Sequence, residues 1–236
     1  MNLILLTHSD FIDSHRVSLT GRRHLHIKNV LKAGTGDLVA CGMCNAHMGT
    51  GVILHIDDNK VDMAVILDQA PPSPLPVTLV LALPRPKMLK RIIQNVTSLG
   101  VKEMYLVNSW RVEKSFWNSP VLTDEKLCEY ARLGLEQAKD TQMPHIHKKR
   151  FFAKFVKQEL PKIAKNCQCI LAHPKTPHPC SGRGDQPLVL AVGPEGGWID
   201  LEVKTLEDTG FVPCSIGPRI LTVETAVISL LSRLYK

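Results

Sequence analysis

The chain has 236 residues, 44% hydrophobic and 22% charged, with a formal net charge of +7. That length suffices for one large domain or for a small and a medium one, and the balance is that of an ordinary globular protein. No apolar run approaches the roughly 20 residues that a helix needs to cross a bilayer, so no membrane partner is expected. The positive charge makes an anionic partner plausible. Seven cysteines, an odd number, with no signal-peptide pattern at the start point to reduced thiols and a cytoplasmic location. Cys41 and Cys44, and Cys167 and Cys169, lack a second Cys or His pair at zinc-site spacing, so no metal is expected.

In chain order, short β-like runs at residues 3–6, 37–43, 51–56 and 61–67 are punctuated by Gly34, Gly36, Gly49 and Asp57-Asp58-Asn59. This spacing suits a small barrel, and residues 22–32 form a helical candidate between its first strands. Residues 1–70 therefore read as a small β-rich domain. Four prolines within residues 71–76 remove amide donors and fix φ, so this run reads as a semi-rigid linker. From residue 77 to residue 236, strands and helices alternate. The apolar run 77–83 predicts a strand covered on both faces. Residues 87–99 place Met88, Ile92, Val96 and Leu99 at helical intervals before Gly100. Further strands are predicted at 104–107, 169–172, 188–192 and 211–216, and helices at 124–139, 200–209 and 222–234. Thr222 or a neighbour is placed to cap the last helix, whose stripe of Val227, Leu230, Leu231 and Leu234 faces either its own core or a partner. Such alternation predicts a mostly parallel α/β sheet.

Two segments carry the most information. Gly193-Pro194-Glu195-Gly196-Gly197-Trp198 closes one apolar run; Ile216-Gly217-Pro218-Arg219-Ile220-Leu221 closes the next, with Glu224-Thr225-Ala226 opening a helix behind it. Glycines at the carboxyl ends of buried strands let a chain fold sharply and bring backbone amides to a ligand. Neither segment has the dinucleotide or P-loop order. A third strand end, Leu171-Ala172-His173, adds an imidazole that titrates near neutral pH. Trp198 either stacks on a base or covers the motif loop.

These segments resemble the knotted methyltransferases of the SPOUT superfamily, above all the RsmE family of ribosomal RNA uridine N3-methyltransferases. The resemblance covers nearly the whole chain and is densest from residue 188 onward. It implies a SPOUT domain with a trefoil knot over residues 77–236, a PUA-like RNA-binding barrel over 1–70, a homodimer, and S-adenosylmethionine as cofactor. The implied cofactor wall consists of Leu171, Ala172 and His173, then Gly193, Glu195, Gly196 and Gly197. It continues through Ile216, Gly217, Pro218, Ile220 and Leu221 to Glu224, Thr225 and Ala226. Carboxylates suit a sulfonium cation, which makes Glu195 and Glu224 candidates for that contact.

The implied substrate is 16S ribosomal RNA of the small subunit. Methylating uridine N3 requires loss of the imide proton and support for the negative charge left on the uracil oxygens. Arg219 is the cation placed for that role, unless it is paired with Glu195 or Glu224, and Glu195 is the candidate proton acceptor. The basic clusters on either side of the linker, Arg22, Arg23 and Lys28, and Arg85, Lys87 and Arg91, are read as phosphate contacts. Asn29, Asn95, Asp140, Gln142 and Thr222 stand where the family usually carries basic residues. They leave open a SPOUT methyltransferase for another ribosomal or transfer RNA nucleotide, and an inactive RNA-binding protein.

Overall fold

The computed structural model describes residues 1–180, 182 and 184–235. The chain divides into two compact units. One joins Met1–Ser73 to Ala131–Met143; the other takes Pro74–Tyr130 and the residues from 144 onward. The sequence reading kept everything after the linker together, whereas the structure returns residues 131–143 to the first unit. Leu135 packs there with Leu3 and Leu5, and the Glu136 carbonyl accepts the amides of Asn2 and Leu3 at 2.8 and 3.0 Å.

The first unit holds strands β1 (Ile4–Leu6), β2 (Arg16–Leu19), β3 (Leu38–Met43), β4 (Met48–Ile56) and β5 (Val61–Gln69). They form one mixed sheet of order β1-β3-β4-β5-β2. Only β1 and β3 pair in parallel among these neighbours. Alternating residues such as Val61, Met63 and Val65 turn inward with Ile4, Leu6, Val17 and Ile53 to make the core. The expected helix at 22–32 is a short α-helix, α1 (Gly21–Leu25), running into a wider π-type stretch, His26–Leu31. It stops at Lys32, whose φ of 53° is left-handed. Strand β2, only four residues long, escaped the sequence reading.

The second unit is built on β6 (Leu75–Ala82), β7 (Val101–Val107), β8 (His145–Lys149), β9 (Gln168–Ala172), β10 (Leu188–Val192) and β11 (Val212–Cys214). Their order is β11-β9-β10-β6-β7-β8, and every neighbouring pair is parallel. The parallel α/β sheet expected from the alternation is present. Strand β6 starts inside the proline run, because the Leu75 amide still reaches the Gly100 carbonyl at 2.9 Å. All five residues of β10 are buried, as a central strand covered on both faces demands.

The helices in chain order are α2 (Pro86–Ser98), α3 (Asp124–Ala138), α4 (Phe152–Lys154), α5 (Leu160–Ile163), α6 (Asp200–Glu207) and α7 (Val223–Leu234). Pro86 opens α2 at its first turn, where a missing amide matters least. The stripe of α7 faces its own core, since Val227, Leu230, Leu231 and Leu234 are all buried. Thr222 stands at the N-cap of α7, but its hydroxyl meets Thr225 Oγ1 at 3.0 Å instead of capping an amide. Among the described residues no helix is long and apolar enough to cross a membrane.

Candidate functional site

The loops after β9, β10 and β11 converge on a cavity of about 390 Å³ at the carboxyl edge of the parallel sheet. That volume lies in the range of small-molecule sites, and the edge is where open α/β sheets bind ligands. Two backbone bonds tie the outer loops together. The His173 amide donates to the Cys214 carbonyl at 3.0 Å, and the Cys180 amide donates to the Ser215 carbonyl at 2.8 Å.

The middle loop is a tight turn in which the Gly197 amide reaches the Pro194 carbonyl at 2.7 Å. Gly197 sits at φ +71° and Gly217, in the third loop, at +142°, both conformations that a side chain resists. At Gly193 the requirement is space. A Cβ there would lie 3.1 Å from Trp198 Nε1 and 3.2 Å from the Trp198 amide nitrogen. Glycine thus lets the indole fold back over the loop, where it is 3% exposed and packs on Phe152 with ring centroids 5.8 Å apart. Trp198 therefore covers the motif loop and is not an open stacking face. Its Nε1 is buried with no hydrogen-bond partner among the described residues, an orphan donor beside a cavity.

Arg111 is the residue that the sequence reading missed. Its guanidinium Nη1 donates to the Gly196 carbonyl, and a Cβ on Gly196 would lie 2.9 Å from Arg111 Cδ. A buried carboxylate sets this loop in place. Glu202, on α6, accepts the Trp110 amide at 2.8 Å, the Ile199 amide at 3.0 Å and the Ser109 hydroxyl at 3.3 Å. From the loop after β6, the Arg85 amide donates to Glu195 Oε1 at 3.0 Å. Two of the groups that hold the glycine loop thus come from 85 and 110 positions earlier in the chain. No local sequence pattern announces such contacts.

Most of the predicted cofactor residues line the cavity: Ala172 and His173, the residues 193 and 195–197, then 216–218, 220, 221 and Ala226. Three do not. Leu171 is fully buried within β9, pointing into the sheet's packing, and Glu224 and Thr225 turn away while Val223 and Ala226 face the cavity. Arg219 is exposed on the third loop and lines the cavity. Among the described residues it makes no ion pair, so the expected alternative of a bridge to Glu195 or Glu224 is not seen. His173 is held below its ordinary pKa, chiefly by burial and then by the nearby Lys175 charge, both of which favour the neutral ring.

The cations expected to meet RNA divide sharply. Arg22 makes a bidentate pair with Glu136 at 2.7 and 2.8 Å. Arg23 pairs with both oxygens of Asp10 at 2.6 Å, and Lys28 pairs with Asp58. Arg85, Lys87 and Arg91 are exposed, and none has an ion-pair partner among the described residues. Asp140 is buried and accepts the Gln142 amide at 2.9 Å, so that stretch serves the fold of the first unit. Among the described residues no group of three or more His, Cys, Asp or Glu is gathered to hold a metal.

Fold and cavity together define an open α/β protein with a small-molecule site at the carboxyl edge of its sheet. The RNA methyltransferase domain model matches residues 71–235. The ribosomal RNA small subunit methyltransferase E of Treponema pallidum is 31% identical over 234 residues, covering 96% of this chain and 87% of that protein. Among solved structures, a Legionella pneumophila protein with S-adenosylmethionine bound superposes with a TM-score of 0.74 at 23% identity, covering 98% of this chain and 95% of the other. The Neisseria gonorrhoeae small subunit methyltransferase E, bound to S-adenosylmethionine, gives 0.72 at 18% identity with the same coverage. At those identities the structures establish a shared fold. The chain belongs to the RNA methyltransferase family, in its branch of ribosomal RNA small subunit methyltransferases E.

Proposed function

We propose that this protein transfers a methyl group from S-adenosylmethionine to N3 of a uridine in the 16S RNA of the small ribosomal subunit. The carrying observation is the cavity bounded by three backbone-rich loops, two of them in glycine-dependent turns. Loop amides and carbonyls suit the edges of an adenine and a ribose, and the unpartnered Trp198 Nε1 marks a donor that the fold itself leaves unused. The residues present fit the cofactor, which supplies an electrophilic methyl group when bound. The residues 193, 195–197 and 216–218, with Ile220 and Leu221, would hold it.

Arg219 brings to the cavity a guanidinium with no ion-pair partner among the described residues, where it stabilises the negative charge left on the uracil oxygens when N3 loses its proton. Glu195 takes that proton. One of its oxygens is fixed by the Arg85 amide, which orients the carboxylate and leaves the other oxygen to accept. Loss of a single charge-stabilising donor typically lowers turnover by about 100-fold to 1,000-fold.

Three further parts belong to the same reading. The residues from 188 onward form a trefoil knot, supported by family membership and by a chain that lays β9 one place away from β6, fills the gap with β10 and returns outside β9 with β11. The first unit is a PUA-like RNA-binding module, supported by its curled five-stranded sheet. The enzyme works as a homodimer in the cytoplasm. Because the α7 stripe is used internally, the dimer surface is sought in exposed apolar residues such as Ile220 and Leu201.

The test is calorimetric titration with S-adenosylmethionine and transfer of its labelled methyl group to small ribosomal subunits from a strain lacking the enzyme. Gly197→Val and Gly217→Val are expected to abolish cofactor binding with cooperative unfolding retained. Arg219→Ala is expected to bind cofactor normally and to lose about 100-fold in turnover. Unchanged cofactor affinity in both glycine variants contradicts the site, and binding without any transfer contradicts the reaction.

A further inference from the structure

Two large aromatic rings lie open at the same carboxyl edge of the sheet, on the loops after β7 and β8. Trp110 is 80% exposed and Phe151 is 72% exposed, although such rings ordinarily supply buried contact area. They follow the adjacent parallel strands β7 and β8, whose ends are joined where the Asn108 amide meets the Lys149 carbonyl at 3.1 Å. Each is chain-adjacent to a residue that grips the glycine loop, Arg111 on the Gly196 carbonyl and Phe152 on the Trp198 ring.

Their backbones are fixed while their rings are not used by the fold. The Trp110 amide is held by buried Glu202 at 2.8 Å, and the Phe151 carbonyl accepts the Phe155 amide at 3.0 Å at the start of α4. Trp117 and Trp198, by contrast, use their rings internally. Trp117 Nε1 donates to Asn108 at 2.9 Å, and Trp198 is buried against Phe152. Exposed cations stand on the neighbouring loops. Arg85 and Arg150 have side chains without ion-pair partners among the described residues, on the loops after β6 and β8. Aromatic faces interleaved with unpaired cations are the physical signature of single-stranded nucleic acid binding, with bases stacking on the rings and phosphates meeting the charges.

We infer that Trp110 and Phe151 are stacking platforms for unpaired nucleobases of the RNA substrate, next to the base that is methylated. The inference rests on the methyltransferase reading above and adds to it the side chains that hold the RNA by its bases. A second copy of this chain is the competing occupant of an exposed aromatic surface. A second copy brings the same net charge of +7 to face these cations, whereas the polyanionic RNA matches both features.

The test compares a fluorescent oligouridylate with an abasic oligomer of the same length, in wild type, Trp110→Ala/Phe151→Ala and Trp110→Phe. Stacking on one ring is expected to favour the base-bearing oligomer by about fivefold to 100-fold. The double variant should bind both oligomers alike, and Trp110→Phe should keep most of the preference. S-adenosylmethionine affinity should stay within about twofold of wild type. A double variant that retains the wild-type preference overturns the inference. So does a weakening equal for both oligomers, or a shift from dimer to monomer in sedimentation. A wild type that binds neither oligomer and transfers no methyl group refutes the RNA reading itself, and the inference falls with it.

Discussion

The basic clusters of the two units are alike in sequence and differ in the folded molecule. Arg22, Arg23 and Lys28 each meet a carboxylate, at Glu136, Asp10 and Asp58, supplied from 114, 13 and 30 residues away. Arg85, Lys87 and Arg91 meet none among the described residues. A phosphate approaching the first cluster must compete with an acid already in place. One approaching the other cluster replaces only water and counterions. Clustering along a chain therefore reports where charge is made; tertiary pairing decides whether it is available.

The contrast is sharpest in stability. Asp10 is buried and Arg23 largely so, and removing one partner of such a pair leaves a charge without compensation. Arg23→Ala is expected to destabilise the first unit by about 3 kcal/mol in urea unfolding, and Arg85→Ala by less than about 0.5 kcal/mol. Burial alone pushes the Asp10 pKa up, but hydrogen bonds from Arg23 and Thr7 outweigh it and hold the carboxyl below 3.8. The folded form thus binds fewer protons than the unfolded one. The stabilisation is full above pH 3.8, fades as pH falls through the depressed value, and is absent from Arg23→Ala. Equal losses in the Arg23 and Arg85 variants would break the comparison.

A smaller effect concerns the charge that acid adds to the second unit. His173 lines the cavity, and burial with the Lys175 charge lowers its pKa from 6.5. Protonation puts a positive charge where the sulfonium cofactor binds. S-adenosylmethionine affinity is expected to fall as the pH drops below 6.5 and the ring takes up its proton. His173→Asn should flatten that profile, measured by calorimetric titration. An identical fall in the variant removes His173 from the cavity's electrostatics.

The smallest effect tests the exposed end of the first cluster. Lys28 pairs with Asp58, whose side chain is 93% exposed, and surface pairs of this kind contribute little. Asp58→Asn should leave the thermal midpoint unchanged and raise RNA affinity by about twofold, because it frees one cation. A lowered midpoint would show that the pair supports the fold after all.

How much of this was legible in sequence follows the range of the interactions involved. Strand β10 and the glycine turns after it were readable, because an apolar run and its terminating glycines are local signals. The same holds for α7, whose stripe needs only its own periodicity. Strand β8, His-Ile-His-Lys-Lys, is not among the strands that the sequence predicts. It lies at the edge of the sheet, where the pressure toward apolar residues is weak. Arg111 and Glu202 were invisible because their roles depend on partners 85 and 92 or 93 positions away. Leu171, Glu224 and Thr225 stand within or beside the motifs without lining the cavity. Adjacent residues in a strand or helix point in different directions, so a motif's neighbours need not share its cavity.

The most direct test of the account is a salt titration of RNA affinity in two triple variants. One neutralises Arg85, Lys87 and Arg91; the other neutralises Arg22, Arg23 and Lys28, with folding checked by circular dichroism and cofactor binding as control. Removing one phosphate contact lowers the slope of log affinity against log salt by about one. The account predicts a slope reduced by about two to three in the first variant and by less than about one in the other. Equal reductions, or a larger one when Arg22, Arg23 and Lys28 are neutralised, would contradict it.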